Sequence, residues 1–374
     1  MVKREKESYL SLRKESVSNV PEYVPGKTAS QIAVEYGLDP ASVIKLNANE
    51  NPLGASDKVA AAIAKEASSA SLYPTADASD LRKALTAYVG FPIENIVASG
   101  PGMDSLIDGL NKIFVGEGDE VIVPVPTFTY YGISASCVGG TPISVSRAPD
   151  YSLDVNSILN AVTDKTKIIF LCSPNNPTGE VLSESDVRKL AEETNAILFI
   201  DEAYIEFSKT KSLSFLIREY DNIVIGRTFS KAFGLAGMRV GYIIASEQIV
   251  SDLLRILPPF AVSIVSEAAA VAALNDSDFL QKSISMVQTE REKLIQAVLK
   301  NTPYKAYPSE GNFIIVDVSP KTSKEAVDIF LKSGVLIRSC DSFEKIGKNT
   351  VRITVGTAEM NQKVMDVFDL LKNQ

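Results

Sequence analysis

The chain has 374 residues, of which 45% are hydrophobic and 22% charged, and its formal net charge is −8. This length and composition are typical of a folded protein with more than one domain, and the acidic balance argues against nucleic acid as a partner. The chain contains no histidine, which excludes histidine-based triads, histidine metal sites and imidazole acid–base catalysis. A lysine then becomes the best available acid–base residue.

The three cysteines predict neither a disulfide framework nor a metal site. Cys137, Cys172 and Cys340 are odd in number and lack metal-like spacing. No apolar run approaches the roughly 20 residues that a bilayer span needs, and the charged N-terminus lacks the apolar stretch of a secretory signal. We therefore expect a cytoplasmic protein with no bound metal and no membrane association.

Residues 1–50 are predicted to form an arm that packs with a small domain, and residues 51–260 a large domain. The large domain contains short apolar segments with few polar alternates, as in parallel sheets that are covered on both faces. These predicted strands are Ile96–Ala98, Val121–Val123, Ile168–Cys172, Ile197–Ile200, Ile223–Ile225 and Val240–Ala245. A helix is predicted over 183–194, where Ser183 and Asp186 form a capping pair. The alternation predicts an α/β domain that binds ligands at the carboxyl ends of its strands.

Residues 261–374 have a different pattern. Pro258 and Pro259 interrupt the chain, and a long helical stretch is predicted to run through Glu267 to about Lys300. The segments after it are predicted as strands at 313–316, 335–337 and 351–355, a helix at 323–333 and a terminal helix. This order predicts a smaller α+β domain.

Lys231 is the leading candidate for chemistry. It stands among Ala, Phe, Gly and Leu, and loss of water there disfavours its charged form and lowers its pKa. A neutral lysine amine can form a Schiff base with a carbonyl. Thr228, Ser230 and Arg239 flank it and are suited to holding a phosphate. The alternative is that Lys231 is an ordinary surface cation.

Three further loops follow predicted strands. In SGPGMDS, the main chain of Met103 and Asp104 can bind phosphate at a helix N-terminus. Phe128 in PTF can stack on a planar heteroaromatic ring. Asn176 in SPNNPTG can donate a hydrogen bond to a phenolate oxygen. Each of these, taken alone, also fits an ordinary turn or core residue.

Two other motifs carry buried charge. Asp201 in DEAYIEF needs a cationic partner if it is buried, which a protonated pyridine nitrogen would supply, and Tyr204 can reach an oxygen on the same ring. A simple helix N-cap is the alternative for Asp201. Arg338 and Arg352 are candidates for an anion clamp, with a salt bridge inside the fold as the alternative. Because most of these motifs end strands of one predicted sheet, they fit one cofactor, pyridoxal 5'-phosphate (PLP).

These residues also carry a family resemblance. The chain closely resembles fold-type I PLP-dependent aminotransferases over nearly its whole length, and within them the histidinol-phosphate aminotransferases. The matching stretches are KLNANENPLG, SLYP, CSPNNPTG, IDEAYIEF, RTFSKAFGLAGMR and VRITVGT. The resemblance implies a large α/β/α domain with a mainly parallel sheet, a smaller α+β domain, and a homodimer.

The resemblance also implies roles for matching residues. Lys231 would carry PLP as a Schiff base and move the substrate's α-proton, and Asp201 would pair with the pyridine N–H. Asn176 and Tyr204 would form hydrogen bonds with the oxygen substituent of the PLP ring, and Phe128 would stack on that ring. The phosphate would contact Met103, Asp104, Thr228, Ser230, Arg239 and, across the dimer interface, Tyr73. The substrate would contact Tyr23, Arg338 and Arg352, with Asn49 and Asn312 nearby.

The implied reaction converts L-histidinol phosphate and 2-oxoglutarate to imidazole acetol phosphate and L-glutamate in two ping-pong half-reactions. An aromatic amino acid aminotransferase and a threonine-phosphate decarboxylase share most of the motifs, and a non-catalytic binding module with this fold is a further alternative. Two positions depart from the resemblance. Ser105 stands where relatives usually carry an acidic residue, and Phe128 where the subfamily commonly has tyrosine.

Overall fold

A computed structural model describes residues 12–20 and 29–373 of the chain. Its strands are β1 (Ile44–Lys45), β2 (Ile96–Ser99), β3 (Glu120–Val125), β4 (Thr141–Ser146), β5 (Thr166–Cys172), β6 (Ile197–Asp201), β7 (Ile223–Thr228), β8 (Gly241–Ile244), β9 (Lys305–Ala306), β10 (Phe313–Asp317), β11 (Val335–Leu336), β12 (Arg338–Ser339) and β13 (Thr350–Thr354). Its α-helices are α1 (Ala29–Tyr36), α2 (Asp57–Glu66), α3 (Ser79–Val89), α4 (Met103–Phe114), α5 (Tyr130–Val138), α6 (Val155–Ala161), α7 (Glu184–Glu193), α8 (Glu247–Ile256), α9 (Ile264–Leu274), α10 (Ser277–Asn301), α11 (Ser323–Lys332) and α12 (Ala358–Lys372).

A seven-stranded sheet forms the centre of the larger part. Its order is β2-β8-β7-β6-β5-β3-β4. Strand β8 runs antiparallel to its neighbours β2 and β7, and the other neighbouring pairs are parallel. The prediction of a mainly parallel sheet is therefore confirmed, and each of the six predicted strands is present.

Helices cover both faces of this sheet. Apolar residues of α4, α5 and α8 pack on one face, where Phe199 and Val224 are buried. Apolar residues of α2, α3, α6, α7 and α9 pack on the other face, where Leu198 and Ile223 are buried. Successive strand residues thus face opposite cores, which is why the strands read as continuous apolar runs.

A four-stranded antiparallel sheet, ordered β12-β13-β10-β9, lies in the C-terminal part. Helices α10, α11 and α12 pack with it, and their apolar residues join the core that α4 and α5 line. The segment that precedes the large sheet is tied to this region, since β1 pairs in parallel with β11.

One prediction of local structure was wrong, and one strand was missed. The long helix expected through Glu267 to about Lys300 is two helices, α9 and α10, separated at Asn275 and Asp276. Asn and Asp compete with helical backbone bonds and favour helix ends. Strand β4 was not predicted, because it lies at the sheet edge, contains Pro142 and is mostly exposed.

Within the described ranges, no helix is long and apolar enough to cross a membrane. The described Cys, Asp and Glu side chains also form no group of three that could hold a metal ion.

Candidate active site

Five loops meet at one edge of the large sheet. They follow β2, β3, β5, β6 and β7, which all run in the same direction. Carboxyl ends of parallel strands share an edge, so these loops bring the predicted motifs together. The small sheet faces the same place, because Arg352 on β13 contacts Asn176 in the loop after β5.

Lys231 lies in the loop after β7. Its Nζ donates to the carbonyl oxygen of Ala48 at 3.3 Å and lies 5.7 Å from the ring centre of Tyr204. Burial, and next the charge of Arg352, lower the pKa of Lys231 to about 8, and Arg239 acts in the same direction. A substantial fraction of this amine is therefore neutral, and hence nucleophilic, near physiological pH.

The Lys231 loop is held in place by Asn51. The Asn51 side chain donates to the carbonyl oxygens of Lys231 and Ala232, at 3.4 and 3.0 Å, and to the hydroxyl of Ser283 at 2.8 Å. Asn51 lies in the ANENPLG stretch, far away in sequence, so this stretch fixes the backbone that carries the reactive amine.

Asp201 ends β6 and is only 3% exposed. Its Oδ2 accepts a hydrogen bond from the Tyr131 hydroxyl at 2.5 Å, and its Oδ1 accepts one from the Ala203 N–H at 2.9 Å. Burial raises the pKa of Asp201 to about 6, while these two hydrogen bonds lower it. No cation among the described residues forms an ion pair with Asp201, so the site can take a cationic group from a ligand.

A polar cradle forms where the loops after β2 and β7 meet. The Gly102 N–H donates to the Arg239 carbonyl oxygen at 2.8 Å, and the Arg239 guanidinium donates to Asp104 at 3.1 Å. The Thr228 hydroxyl donates to the Ser230 hydroxyl at 2.9 Å. Gly102 has φ +78°, and a Cβ there would lie 3.0 Å from the Arg239 guanidinium. Hydroxyls, a guanidinium and a helix N-terminus together make a good anion site.

Met103 begins α4, and its backbone nitrogen lies against Gly241, where a Cβ would approach it to 2.5 Å. Ser105 donates back to the Gly102 carbonyl oxygen at 2.9 Å, within the turn. Ser105, which stands where relatives usually carry an acidic residue, therefore stabilises the turn.

Arg352 is 7% exposed and joins the two sheets. Its Nη1 donates to Asn176 Oδ1 at 2.6 Å, its Nη2 donates to the Asn47 carbonyl oxygen at 2.8 Å, and its Nε has no partner. Burial lowers the pKa of Arg352, and the charge of Arg338 adds to this. Contrary to the salt-bridge alternative, no carboxylate in the described part of the chain forms an ion pair with Arg352.

Arg338 and Arg352 lie directly opposite each other on β12 and β13. Arg338 also donates to the Ser342 hydroxyl at 3.1 Å. Like charges at directly opposed positions destabilise a sheet, so this pair is suited to an anion that both can bind.

Tyr204, Asn49 and Asn312 form a buried network beside Lys231. Asn49 Nδ2 donates to the Tyr204 hydroxyl at 3.1 Å, and Asn312 Nδ2 donates to the Asn49 carbonyl oxygen at 3.1 Å. Asn49 also exchanges hydrogen bonds with the Thr354 hydroxyl. Asn312 is fully buried and its Oδ1 has no partner.

Phe128 and Tyr73, two further residues predicted to bind the cofactor, differ in how exposed they are. Phe128 is half-buried, and its ring lies edge-on to that of Tyr131, at 5.5 Å and 84°. Tyr73 is 83% exposed and contacts the ring of Phe260 at 4.9 Å. No contact joins Tyr73 to the cleft within the described chain, and Tyr23 lies outside the described residues.

Comparison with known proteins identifies the family. The model of "Aminotransferase class I and II" matches residues 41–368. The chain belongs to the class I and II aminotransferase family. It is 50% identical to a histidinol-phosphate aminotransferase of Methanosarcina mazei, over 97% of each chain, and 46% identical to one of Methanococcoides burtonii, over 96% of this chain and 98% of that one. Its fold matches the crystal structure of histidinol-phosphate aminotransferase from Sinorhizobium meliloti in complex with PLP, with a TM-score of 0.86, 24% identity and coverage of 97% and 98%.

The cofactor of class I and II aminotransferases is PLP, and the cleft of this aminotransferase fits it. The buried carboxylate of Asp201 has no cationic partner in the described residues, and the cradle beside α4 combines hydroxyls, Arg239 and a helix N-terminus. The lowered pKa of Lys231 leaves part of its amine neutral, in a setting where the charges of both Asp201 and Arg239 act on it. These features match a pyridine nitrogen, a phosphate and an aldehyde, respectively.

Tyr131 and Asn51 of this aminotransferase were not predicted as site residues from the sequence. Tyr131 follows Phe128 by three residues, but helical spacing alone does not show that its hydroxyl reaches Asp201, 70 residues later. Asn51 lies within the family-like ANENPLG stretch, which marked its importance without giving its partners.

Proposed function

We propose that this protein is a histidinol-phosphate aminotransferase, which converts L-histidinol phosphate and 2-oxoglutarate to imidazole acetol phosphate and L-glutamate. The opposed pair of Arg338 and Arg352 carries the proposal. The charge of Arg352 lowers the pKa of Lys231, and the charge of Arg338 acts in turn on Arg352. A doubly charged phosphate would relieve the repulsion between the two arginines more fully than a single carboxylate.

The relatives support the same choice. Those of Methanosarcina mazei and Methanococcoides burtonii are named histidinol-phosphate aminotransferases and align with nearly the whole chain. An aromatic amino acid donor would place one carboxylate at the arginine pair, and O-phosphothreonine would be decarboxylated without an oxo-acid partner. Both remain outcomes of the test.

Each residue then has a chemical task. PLP, when bound, withdraws electrons from the substrate's α-carbon. Lys231 would bind the cofactor's aldehyde carbon and move the proton at the substrate's α-carbon, for which a neutral amine is needed. Asp201 would keep the pyridine nitrogen protonated. Asn176 and Tyr204 would form hydrogen bonds with the oxygen substituent of the ring.

The remaining residues would bind and orient the ligands. Phe128 would stack on one face of the ring. The phosphate of PLP would be bound by the main chain of Met103 and Asp104 and by the side chains of Thr228, Ser230 and Arg239. Asn49 and Asn312 would position Tyr204 beside the substrate, and Tyr23 would contact the substrate's anionic end.

We further propose a homodimer that acts in the cytoplasm. Tyr73 and its neighbour Leu72 are largely exposed, and Phe260 packs beside Tyr73. Exposed apolar side chains grouped in this way favour a protein interface. In the dimer, Tyr73 would contact the PLP phosphate of the partner subunit.

The test is a substrate panel with the PLP-loaded enzyme. L-Histidinol phosphate with 2-oxoglutarate should yield stoichiometric L-glutamate. L-Phenylalanine and O-phospho-L-threonine serve as the competing donors. Faster glutamate formation from phenylalanine, or release of carbon dioxide from phosphothreonine without 2-oxoglutarate, would overturn the assignment.

A further inference from the structure

The shortest contact of Asp201 is with a residue that neither family motif nor spacing singled out. The Tyr131 hydroxyl donates to Asp201 Oδ2 at 2.5 Å, at the short end of the range for O–H donors. Both side chains are buried. The Tyr131 ring stacks on Phe170, at 5.0 Å and 4°, and lies edge-on to Phe128 and Phe199. Aromatic packing therefore fixes where the hydroxyl lies.

The electrostatic setting of Asp201 makes this hydroxyl important. Burial raises the pKa of Asp201 to about 6, and among the influences that lower it the Tyr131 hydrogen bond is the strongest. The titratable and charged groups that act on Asp201 or Tyr131 are Asp104 on α4, Cys172 on β5, Tyr204 after β6, Lys231 after β7 and Arg147 after β4. Asp104 opposes the negative charge of Asp201, whereas Lys231 favours it.

We propose, as an extension of the PLP-dependent function proposed above, that Tyr131 is a positioning residue that keeps Asp201 ionised and oriented for the cofactor's pyridine nitrogen. One carboxylate oxygen is held by Tyr131 and the other by the Ala203 N–H. An ionised carboxylate accepts about four hydrogen bonds, so lone pairs remain for a protonated ring nitrogen. Tyr131 does not itself need to contact PLP or the substrate.

Tyr131→Phe tests this role while keeping the stacked ring. PLP is titrated into the cofactor-stripped full-length chain, and its dissociation constant is measured against pH. Loss of a hydrogen bond to a charged group should raise the pKa of Asp201 by about one to two pH units. The dissociation constant of PLP should therefore be higher for the variant, by a ratio that approaches about 10- to 100-fold below both pKa values of Asp201 and falls toward one above both of them. The titration of Lys231 affects the unaltered protein and the Tyr131→Phe variant equally, so it cancels in the ratio of their dissociation constants.

A purely structural role predicts a different result. If Tyr131 only packs, the ratio of the dissociation constants stays constant with pH, or stays at one, and either result overturns the proposal. Tyr242→Phe is the matched control, because Tyr242 is equally buried but belongs to the core on the other face of the sheet. It should leave PLP affinity unchanged at every pH.

A double-mutant cycle tests whether Tyr131 acts through Asp201. In an Asp201→Asn background, which cannot ionise, Tyr131→Phe should have no further effect on PLP affinity. An equal loss in both backgrounds would overturn the proposal. None of these measurements uses an amino donor. A failure of histidinol phosphate to react would therefore contradict the proposed substrate and leave the role of Tyr131 standing.

Discussion

Arg352 on β13 donates from Nη1 to Oδ1 of Asn176, 2.6 Å away. The bond joins the small sheet to the loop after β5, and thus the proposed substrate site to the proposed cofactor site. It also fixes the orientation of the Asn176 amide, because the oxygen must face the guanidinium and Nδ2 is left as a donor. The contact between Arg352 and Asn176 therefore links the binding of the substrate's negative charge to the hydrogen bond that Asn176 would donate to PLP.

Arg352→Gln should impair the reaction with the phosphorylated substrate. The change removes a charged donor from a buried site, and hydrogen bonds to charged groups contribute about 1.5–3 kcal/mol. We expect kcat/KM for L-histidinol phosphate to fall roughly 10- to 150-fold, measured from glutamate formation. Arg255→Gln is the control, since Arg255 is largely exposed on α8 and should have little effect. Unchanged kinetics in the Arg352 variant would contradict the proposed clamp.

The reactivity of Lys231 should follow its lowered pKa of about 8. The neutral amine is the reactive form, so the rate at which PLP attaches covalently should rise with pH and level off above about 8. Arg352→Gln removes a positive charge that lowers this pKa, and the profile should therefore move to higher pH. Absorbance of PLP mixed with the stripped protein measures both profiles. A midpoint near the ordinary lysine value in the unaltered protein would show that the cleft does not activate the amine.

Gly234→Ala should destabilise the loop that carries Lys231. Gly234 has φ +71°, and a Cβ there would overlap the Gly54 carbonyl oxygen. We expect the free energy of unfolding to fall by about 1–3 kcal/mol. Gly237→Ala, three residues away, meets nothing within 4 Å and should change stability by less than about 0.5 kcal/mol. Urea unfolding curves compare the two, and equal midpoints would argue against a tight contact at Gly234.

Mixed subunits can test whether Tyr73 acts across a dimer. Lys231→Ala and Tyr73→Ala homodimers should each have low activity. A hybrid of the two would contain one site with an intact Lys231 and an intact Tyr73 from the other subunit. Mixing the variants under conditions that allow exchange should therefore restore activity, toward a quarter of the wild-type value for random pairing. If the mixture is no more active than its components, Tyr73 does not act in this way.

The large sheet and the position of the cleft could be predicted from the sequence, whereas several contacts within the cleft could not. Apolar runs such as Ile223–Ile225 revealed a parallel sheet covered on both faces, and the polar motifs after these runs located the cleft at one edge. The break between α9 and α10 was missed although Asn275 and Asp276, residue types that favour helix ends, stand between the two helices. The opposed placement of Arg338 and Arg352 depends on the register of two antiparallel strands, and the bond from Tyr131 to Asp201 depends on side-chain direction. Neither register nor direction can be read from spacing in one chain.

Reductive trapping shows whether Lys231 is the amine that binds PLP. The full-length protein is incubated with PLP, reduced with borohydride, digested and mapped by mass spectrometry. We expect a pyridoxyl group on Lys231, and a folded Lys231→Ala variant that neither incorporates the label nor transaminates. Label on a different lysine of the unaltered protein, no label at all, or steady turnover by the Lys231→Ala variant would contradict it.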